Sequence, residues 1–350
     1  MAEAELCVGG QKISRASQPY VVAELSGNHN GSLERALDIV EAASMAGADA
    51  VKLQTYTAET ITIDHNGPGF VLDTGPWAGR SLYDLYEWAH TPWEWHSALF
   101  AKGRELGLTV FSSPFDATAV DFLEQFDPPV YKIASFELVD LPLIRYVAKK
   151  RRPMIMSTGM ATVSEIQAAV DVARDAGCKG LCLLHCTSAY PAPVCDANLM
   201  TIEMLEEKFD IAVGISDHTL GIAVSVAAVA LGACLIEKHL TLRRADGGPD
   251  SGFSLEPMEL KELVDNVHAA HSARGNVRFA ASDSELPQIQ LRRSLYVVAD
   301  ICEGELFTSQ NLRSIRPGYG LPPAKYDDVV GRRAKENVAR GTPLSWDFVA

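Results

Sequence analysis

Short apolar runs alternate with longer amphipathic stretches from residue 20 to about residue 275 of the 350-residue chain. The runs are YVVAEL, AVKLQT, LTVFSS, VYKIAS, MIMST, LCLLHC, IAVGIS and ACLIEKH. They are rich in β-branched and other apolar residues, as the strands of a buried parallel sheet are. Eight strands that alternate with helices over ~250 residues predict an α/β fold, specifically a (β/α)8 TIM barrel and not an open doubly wound sheet.

The stretches between the runs have helical spacing and recognisable ends. In SLERALDIVEAASMAGA, Ser32 is placed to cap the first turn and Gly47 to end the helix. The stretch TVSEIQAAVDVARDAG repeats this design, with Thr162 or Ser164 at its start and Gly177 at its end. Both patterns predict helices that cover the outside of the barrel.

The connection after the second run, residues 56–91, is longer than the others and contains several glycines, prolines and aromatic residues. Loops of this length are usually either functional or disordered. The second βα loop of a barrel lies on the active-site face. We therefore interpret residues 56–91 as a segment that covers the substrate.

The pattern changes after Gly275, where the polar stretch ARGNVRFAASDSELPQ is typical of a linker. Beyond it, SLYVVAD predicts a strand and NLRSIRPG a basic segment. This module is too small to carry a large enzyme site alone. The predicted organisation is a barrel at 1–280, a linker at 281–291 and a compact module at 292–350.

Composition narrows the classes of partner. The net charge of −14 argues against nucleic acid and against an anionic membrane surface. We find no apolar stretch of the ~18–20 residues that a membrane span needs, and no secretory signal is expected. Seven cysteines in such a chain are expected to be reduced thiols, which favours a cytoplasmic location.

Polar side chains stand at the carboxyl ends of the predicted strands, where a barrel keeps its chemistry. Lysine and glutamate are rare in buried strands unless they are paired or functional. Lys52 and Lys132, with a ring of serine hydroxyls, would suit a compact dianion such as a phosphate ester. The alternative is that each lysine reaches solvent and each serine caps the following helix. The residues of this ring are Glu24, Lys52, Gln54, Ser112, Ser113, Lys132, Ser135, Ser157, Thr158, Thr187, Ser188, Ser216, Asp217, His218, Glu237, Lys238 and His239.

His218 and His239 end two successive runs and are 21 residues apart (239 − 218 = 21). Because that spacing is one βα unit, the two imidazoles are expected side by side on neighbouring strands. Two neutral imidazoles with open positions favour an exchangeable Mn²⁺ or Mg²⁺ ion over a structural zinc. The alternative is one core histidine and one helix-capping histidine. His185 and Cys186 are interpreted as core residues.

Taken together, these segments resemble the sialic acid synthase family. The resemblance runs from AELSGNHNGS through AVKLQTYTAETITID, FSSPFD, YKIASFE, MSTGMAT, CTSAYPAP, GISDHTLG and IEKH to the end of the chain. The module at 292–350 resembles the antifreeze-like (SAF, β-clip) domain of these synthases. ELSGNHNGS, LYDLYEWAHTPWEWH and RSIRPGYGLPP are most similar to the pseudaminic acid synthase branch, and Ser188 stands where N-acetylneuraminate synthases typically have asparagine.

The resemblance implies a metal-dependent condensation of phosphoenolpyruvate with open-chain 2,4-diacetamido-2,4,6-trideoxy-altrose and water, with loss of phosphate. By similarity, His218 and His239 hold the divalent metal, and Arg316 reaches the acceptor from a partner subunit of a domain-swapped homodimer. The residues implied to bind phosphoenolpyruvate are Lys52, Lys132, Ser135, Ser157 and Ser216. Those implied for the sugar pocket are Glu24, Tyr190 and Asp250, and Gln54 and Ser188 are further candidates at the same strand ends.

The implied chemistry needs a carboxylate that takes a proton from water. The resemblance places Glu137 near the reacting carbons, so we assign this role to Glu137 and the sugar-hydroxyl or leaving-group protons to Glu24. The two roles could be reversed.

Other functions fit part of the pattern. An N-acetylneuraminate or N,N′-diacetyllegionaminate synthase would keep the mechanism and change the acceptor. A Schiff-base pyruvate aldolase would use Lys132 or Lys52 as nucleophile and need no metal. A carbohydrate-binding protein would use the C-terminal module, and Arg313 and Arg316 would then be ordinary surface residues.

Overall fold

The computed structural model describes residues 4–350, which form two compact units, one ending at Gly275 and the other running from Asn276 to Ala350. The first unit begins with an antiparallel hairpin, β1 (Glu5–Val8) and β2 (Gln11–Ser14). The patterning of the sequence did not predict this hairpin. Leu6, Val8 and Ile13 are its buried side chains, and they pack among apolar residues of the barrel strands.

The barrel is closed and its eight strands are parallel, with the last strand pairing with the first. The strands are β3 (Tyr20–Glu24), β4 (Ala50–Thr55), β5 (Thr109–Pro114), β6 (Tyr131–Ile133), β7 (Met154–Ser157), β8 (Leu181–Cys186), β9 (Ala212–Ser216) and β10 (Leu235–His239). Seven of them fall within a predicted apolar run, and β5 extends one residue beyond its run, to Pro114. The prediction of a (β/α)8 barrel is confirmed.

Helices follow the strands, and all but the second and third, which lie in segment 56–91, pack against the outside of the barrel. They are α1 (Leu33–Ala46), α2 (Ala58–Ile61), α3 (Leu82–Ala89), α4 (His96–Leu106), α5 (Ala117–Leu123), α6 (Leu141–Ala148), α7 (Val163–Asp175), α8 (Thr201–Phe209), α9 (Ala223–Ala230) and α10 (Pro257–Arg274). As predicted, the Ser32 hydroxyl caps α1 by accepting from the Arg35 amide, and Gly47 ends it in the left-handed region at φ 85°.

Alternation along each strand sorts the side chains between the helices and the barrel interior. On β3, Val21 and Ala23 belong to the core shared with the helices, whereas Val22 belongs to the core inside the barrel. Glu24 lies one pleat beyond Val22, and its strand neighbour in register is Lys52. The interior is therefore apolar at the hairpin end and becomes polar at the carboxyl ends of the strands.

The second unit contains the antiparallel pair β11 (Ser294–Val297) and β12 (Leu312–Ile315) and the short helix α11 (Tyr326–Val329). It has its own apolar core, which includes Leu295, Phe307, Leu312 and Leu344. The segment predicted as a linker, 281–291, includes a short 3-10 helix at Leu286–Leu291. Across residues 4–350, no helix combines the length and hydrophobicity required to cross a bilayer.

Candidate active site

A cavity of about 450 Å³ opens at the carboxyl ends of the barrel strands. Ligand sites for small molecules are commonly ~300–1,000 Å³, so a three-carbon phosphate ester and a hexose are within its capacity. The predicted site residues that line it are Glu24, Lys52, Gln54, Lys132, Ser135, Glu137, Ser157, Tyr190, Ser216, His218, His239 and Asp250.

Two lysines lie at the bottom of the cavity and share one carboxylate. Lys52 Nζ is 3.8 Å and Lys132 Nζ 3.7 Å from Oε1 of Glu237, and all three side chains are buried. The same Oε1 accepts a hydrogen bond from Ser216 at 2.9 Å, and Lys132 donates to Ser157 at 2.7 Å. Burial disfavours the charged forms, yet the two ammonium groups lower the pKa of Glu237. We call these two ammonium groups and their serine partners the cationic pocket, and Glu237 is the carboxylate that the two lysines share.

Glu24 completes the charged cluster on the neighbouring strand. Its Oε2 is 2.6 Å from Lys52 Nζ, and its Oε1 accepts from the side-chain amide of Gln54 at 2.9 Å. Burial raises the pKa of Glu24, and the nearby Lys52 ammonium only partly offsets this effect. Burial would lower the pKa of Lys52, but Glu237 and Glu24 together raise it. Glu24 is thus a carboxyl that can exchange a proton next to the cationic pocket.

His218 and His239 lie side by side, with ring centroids 5.3 Å apart. His218 Nδ1 is 3.0 Å from the carbonyl oxygen of Thr187, and a carbonyl only accepts, so Nδ1 carries the proton and the lone pair is on Nε2. Nδ1 of His239 is buried and has no hydrogen-bond partner among the described residues. Two neutral imidazole donors, one with a fixed tautomer, fit a divalent cation.

The described residues contain no group of three or more His, Cys, Asp or Glu side chains that could hold a metal ion. A cation bound by these two imidazoles would therefore keep most of its coordination positions for water or substrate oxygens, which suits Lewis-acid chemistry. Cys186 Sγ lies 3.8 Å from His218 Nδ1. Burial lowers the pKa of His218, but the contact with Cys186 outweighs this and raises it. A cation bound at Nε2 would compete with the second proton of the His218 imidazolium, which binds at the same nitrogen.

Glu137 lies in a short 3-10 helix, Phe136–Val139, directly after β6. Its Oε2 is buried without a hydrogen-bond partner among the described residues. Burial raises the pKa of Glu137 to about 7, and Lys132 and Lys52 only partly counter it. A half-buried carboxyl with this pKa is suited to proton transfer near neutral pH.

Polar groups on the other side of Glu24 form a second chain of contacts. Gln54 donates to Ser26 at 3.2 Å, and Ser26 in turn donates to Asp250. Burial raises the pKa of Asp250. Tyr190 packs against His218 with ring centroids 4.5 Å apart, which brings this polar chain and the two imidazoles into one cavity.

Two predicted site residues do not line the cavity. Ser188 is next to the lining residue Ser135, with Gly159 between them. A Cβ at Gly159 would be 2.2 Å from Ser188 Oγ and 2.7 Å from Ser135 Oγ. Glycine at position 159 therefore allows the two serines to approach each other. Arg316 is exposed and belongs to the second unit.

Segment 56–91 contributes a large part of the lining, namely Tyr56, Ile61, Leu72, Trp77, Leu82, Leu85, Tyr86 and Ala89. Trp77 Nε1 donates to the carbonyl oxygen of Pro249 at 2.7 Å, and its ring lies 5.6 Å from that of Tyr190. The segment thus covers the cavity and is tied to the loop that carries Asp250.

Sequence reasoning missed the roles of two residues. Glu237 was noted at a strand end but not assigned, although it is two residues before His239 and so points to the same side of β10. Cys186 was interpreted as a core thiol, and it is buried, but it also lines the cavity. By contrast, Lys238 lies between Glu237 and His239 on β10 and so points to the other side of the strand. It pairs with Asp217 at 2.8 Å and does not line the cavity.

Family comparisons agree with this geometry. The NeuB family model matches residues 39–279, and the SAF domain model matches residues 292–350. The chain belongs to the NeuB family. A pseudaminic acid synthase of Campylobacter jejuni is 44% identical over 93% of this chain and 95% of its own length. The N,N′-diacetyllegionaminic acid synthase of Legionella pneumophila, also similar to this NeuB chain, is 36% identical over 94% of each protein.

A solved structure extends the NeuB likeness to the whole fold. The spore coat polysaccharide biosynthesis protein SpsE of Bacillus subtilis matches with a TM-score of 0.68 and 32% identity over 99% of both chains. The predicted resemblance to the sialic acid synthases, and the predicted barrel with a C-terminal SAF domain, are both confirmed.

Proposed function

We propose that this NeuB-family enzyme condenses phosphoenolpyruvate with 2,4-diacetamido-2,4,6-trideoxy-altrose and water to give pseudaminic acid and phosphate. The arrangement of the cavity carries the proposal, because a buried cationic pocket and a pair of imidazoles share one space of about 450 Å³. The 44% identity to a pseudaminic acid synthase, against 36% to a diacetyllegionaminic acid synthase, favours the altro acceptor.

Lys52 and Lys132 are the groups that would bind the phosphate and carboxylate of phosphoenolpyruvate. Both ammonium groups are buried, so their attraction to an anion is weakly screened. Ser157, which already bonds Lys132, and Ser135 would supply additional donors. The lysines would also stabilise the charge on the departing phosphate.

His218 and His239 would hold a divalent ion, Mn²⁺ or Mg²⁺. Such an ion would supply a Lewis acid for the aldehyde oxygen of the acceptor. The ring of Tyr190 against His218 and the Ser26–Asp250 contact limit where the acceptor can lie, so they would orient the aldehyde toward the enol carbon.

The bond changes balance with the residues present. C3 of phosphoenolpyruvate forms a bond to the aldehyde carbon, which leaves positive charge at C2. Glu137 takes a proton from the water that adds at C2. The C2–O bond to phosphate then breaks as the new C2 hydroxyl becomes the keto group, and the proton of that hydroxyl goes to the oxygen of the former aldehyde. Glu24, whose pKa is raised by burial, can donate a proton to the departing phosphate.

We further propose that a second copy of the chain supplies Arg316 to the acceptor in a domain-swapped homodimer. Arg316 is exposed, and among the described residues no arginine lines the cavity; both observations support this assignment. An arginine could donate two parallel hydrogen bonds to an acetamido oxygen and its neighbour.

The test is phosphate release from phosphoenolpyruvate by protein loaded with Mn²⁺, using the altro sugar, its manno counterpart and N-acetylmannosamine. We expect release with the altro sugar and loss of activity with a chelator. A preference for either other sugar would leave the proposed mechanism intact and change the identity of the acceptor. Metal-independent trapping of pyruvate by borohydride, without phosphate release, would instead support a Schiff-base aldolase.

A further inference from the structure

The cavity has two chemically different sides. One side carries the lysines, carboxylates and imidazoles, whereas segment 56–91 contributes no charged side chain to the lining. We call six of its residues the apolar wall: Tyr56, Ile61, Leu72, Leu82, Leu85 and Tyr86. The only polar atoms among these side chains are the two tyrosine hydroxyls.

Side-chain packing and backbone hydrogen bonds hold the residues of the apolar wall in place. Leu85 is buried in α3, and the ring of Tyr56 contacts those of Tyr86 and Phe115 edge-on, with centroids 5.7 and 5.1 Å away. Leu72 is fixed through its backbone, because its amide donates to the Arg80 carbonyl and its own carbonyl accepts from the Gly79 amide. The wall is therefore a preformed surface.

The apolar wall shares one cavity with polar residues of the site, since Tyr56, Tyr86, Asp250 and Glu137 all line it. Burial raises the pKa of Tyr56, and Asp250 beside it adds to the effect. Burial likewise raises the pKa of Tyr86, with a contribution from Glu137. The part of the cavity between the wall and Asp250 thus offers one polar and one apolar face to the same ligand.

We propose that the apolar wall is the specificity element for the acceptor, which binds the methyl group at the deoxygenated C6 and an acetamido methyl. A sugar with a hydroxyl at C6 would bury that group against carbon without a partner, which is unfavourable. An apolar pocket rejects an added hydroxyl by about 10²-fold, so a preference of that size for the 6-deoxy acceptor is expected.

The inference rests on the proposed condensation, so the first experiment compares two acceptors with the unmodified enzyme. These are 2,4-diacetamido-2,4,6-trideoxy-altrose and the same sugar with a hydroxyl restored at C6, and the readout is kcat/KM for phosphate release. We expect about 10²-fold higher kcat/KM for the deoxy sugar. Equal use of both would overturn the inference and leave the condensation intact, whereas no release with either would overturn both.

The second experiment changes the wall itself. Leu72→Asn and Leu82→Asn replace half-buried leucines with side chains of similar length that can bond a hydroxyl. We expect each to lower the deoxy-to-hydroxy preference at least tenfold through KM for the acceptor, with KM for phosphoenolpyruvate unchanged. Ile63→Asn is the matched control, because Ile63 is exposed in the same segment and does not line the cavity.

A general loosening of the segment would give a different result. It would reduce kcat for both acceptors equally or raise KM for phosphoenolpyruvate, and it would leave the ratio between acceptors unchanged. If both leucine variants keep the preference of the unmodified enzyme, the apolar wall does not select the acceptor.

Discussion

The imidazole of His218 is oriented by the backbone carbonyl of Thr187, which lies 3.0 Å from Nδ1. This contact fixes the proton on Nδ1 and leaves the lone pair on Nε2. Backbone contacts of this kind set the tautomer of metal-binding histidines. His218 therefore presents Nε2 as the nitrogen that can bind a divalent cation.

Replacing either cavity histidine is expected to remove metal binding. His218→Gln and His239→Gln should each lower metal-dependent kcat/KM by more than 100-fold, because even the partners of a metal ligand contribute ~10–100-fold. Mn²⁺ affinity, measured by electron paramagnetic resonance, should fall in parallel. His65→Gln is the control, since His65 is exposed in segment 56–91. Unchanged Mn²⁺ affinity in both cavity variants would rule out this metal site.

Proton transfer by Glu137 predicts a specific pH dependence. Burial raises the pKa of this carboxyl to about 7, and a proton acceptor must be ionised. Activity should therefore fall as the pH drops below 7, approaching tenfold per unit. Glu137→Gln should lose about 10²–10⁴-fold in kcat and abolish that limb of the profile. A variant that retains the same acidic limb would assign it to another group, with Glu24 the first candidate.

The shared carboxylate Glu237 predicts a link between stability and substrate. Glu237 is the ion-pair partner of Lys132 among the described residues, and both are buried. Glu237→Gln should cost about 3–5 kcal/mol in the free energy of unfolding, because it leaves a buried ammonium without its counter-charge. An anion in the pocket would replace that counter-charge. Phosphoenolpyruvate should therefore stabilise the variant more than it stabilises the unmodified protein.

Urea unfolding with and without phosphoenolpyruvate measures both effects. Glu5→Gln is the matched control, because Glu5 pairs with Lys12 on the surface and such pairs contribute at most ~1 kcal/mol. If Glu237→Gln is as stable as the control variant, the lysines do not depend on this carboxylate.

The Trp77 indole predicts how firmly segment 56–91 is attached. Trp77→Phe keeps an aromatic ring beside Tyr190 but removes the 2.7 Å hydrogen bond to the Pro249 carbonyl. Loss of about 1 kcal/mol corresponds to an increase of roughly fivefold in KM for the acceptor, with KM for phosphoenolpyruvate unchanged. Trp88→Phe, in the same segment and more exposed, should have no effect. An equal increase in both variants would argue against the anchoring role.

The barrel could be predicted because eight short runs are mostly apolar, with their polar residues concentrated toward the carboxyl ends. The β1–β2 hairpin could not, because Leu6 and Ile13 stand among polar residues and have an apolar side only after the barrel closes around them. Short strands of this kind carry little periodic signal.

The candidate site was predictable where residue type and strand-end position coincide, as for Lys132 and His239. Glu237 was harder, because a carboxylate inside a strand is explained only when two lysines from other strands approach it. The apolar wall left no chemical signal, since leucine and isoleucine are ordinary core residues until the fold turns them toward a ligand.

In the proposed reaction, water attacks C2 of phosphoenolpyruvate and phosphate leaves with the bridging oxygen. The most direct measurement uses phosphoenolpyruvate labelled with ¹⁸O at the bridging position, together with the altro acceptor and Mn²⁺, and follows the label by mass spectrometry. We expect all of the label in inorganic phosphate and an oxygen from water in pseudaminic acid. Label retained in the sugar product would show cleavage at phosphorus and contradict the mechanism.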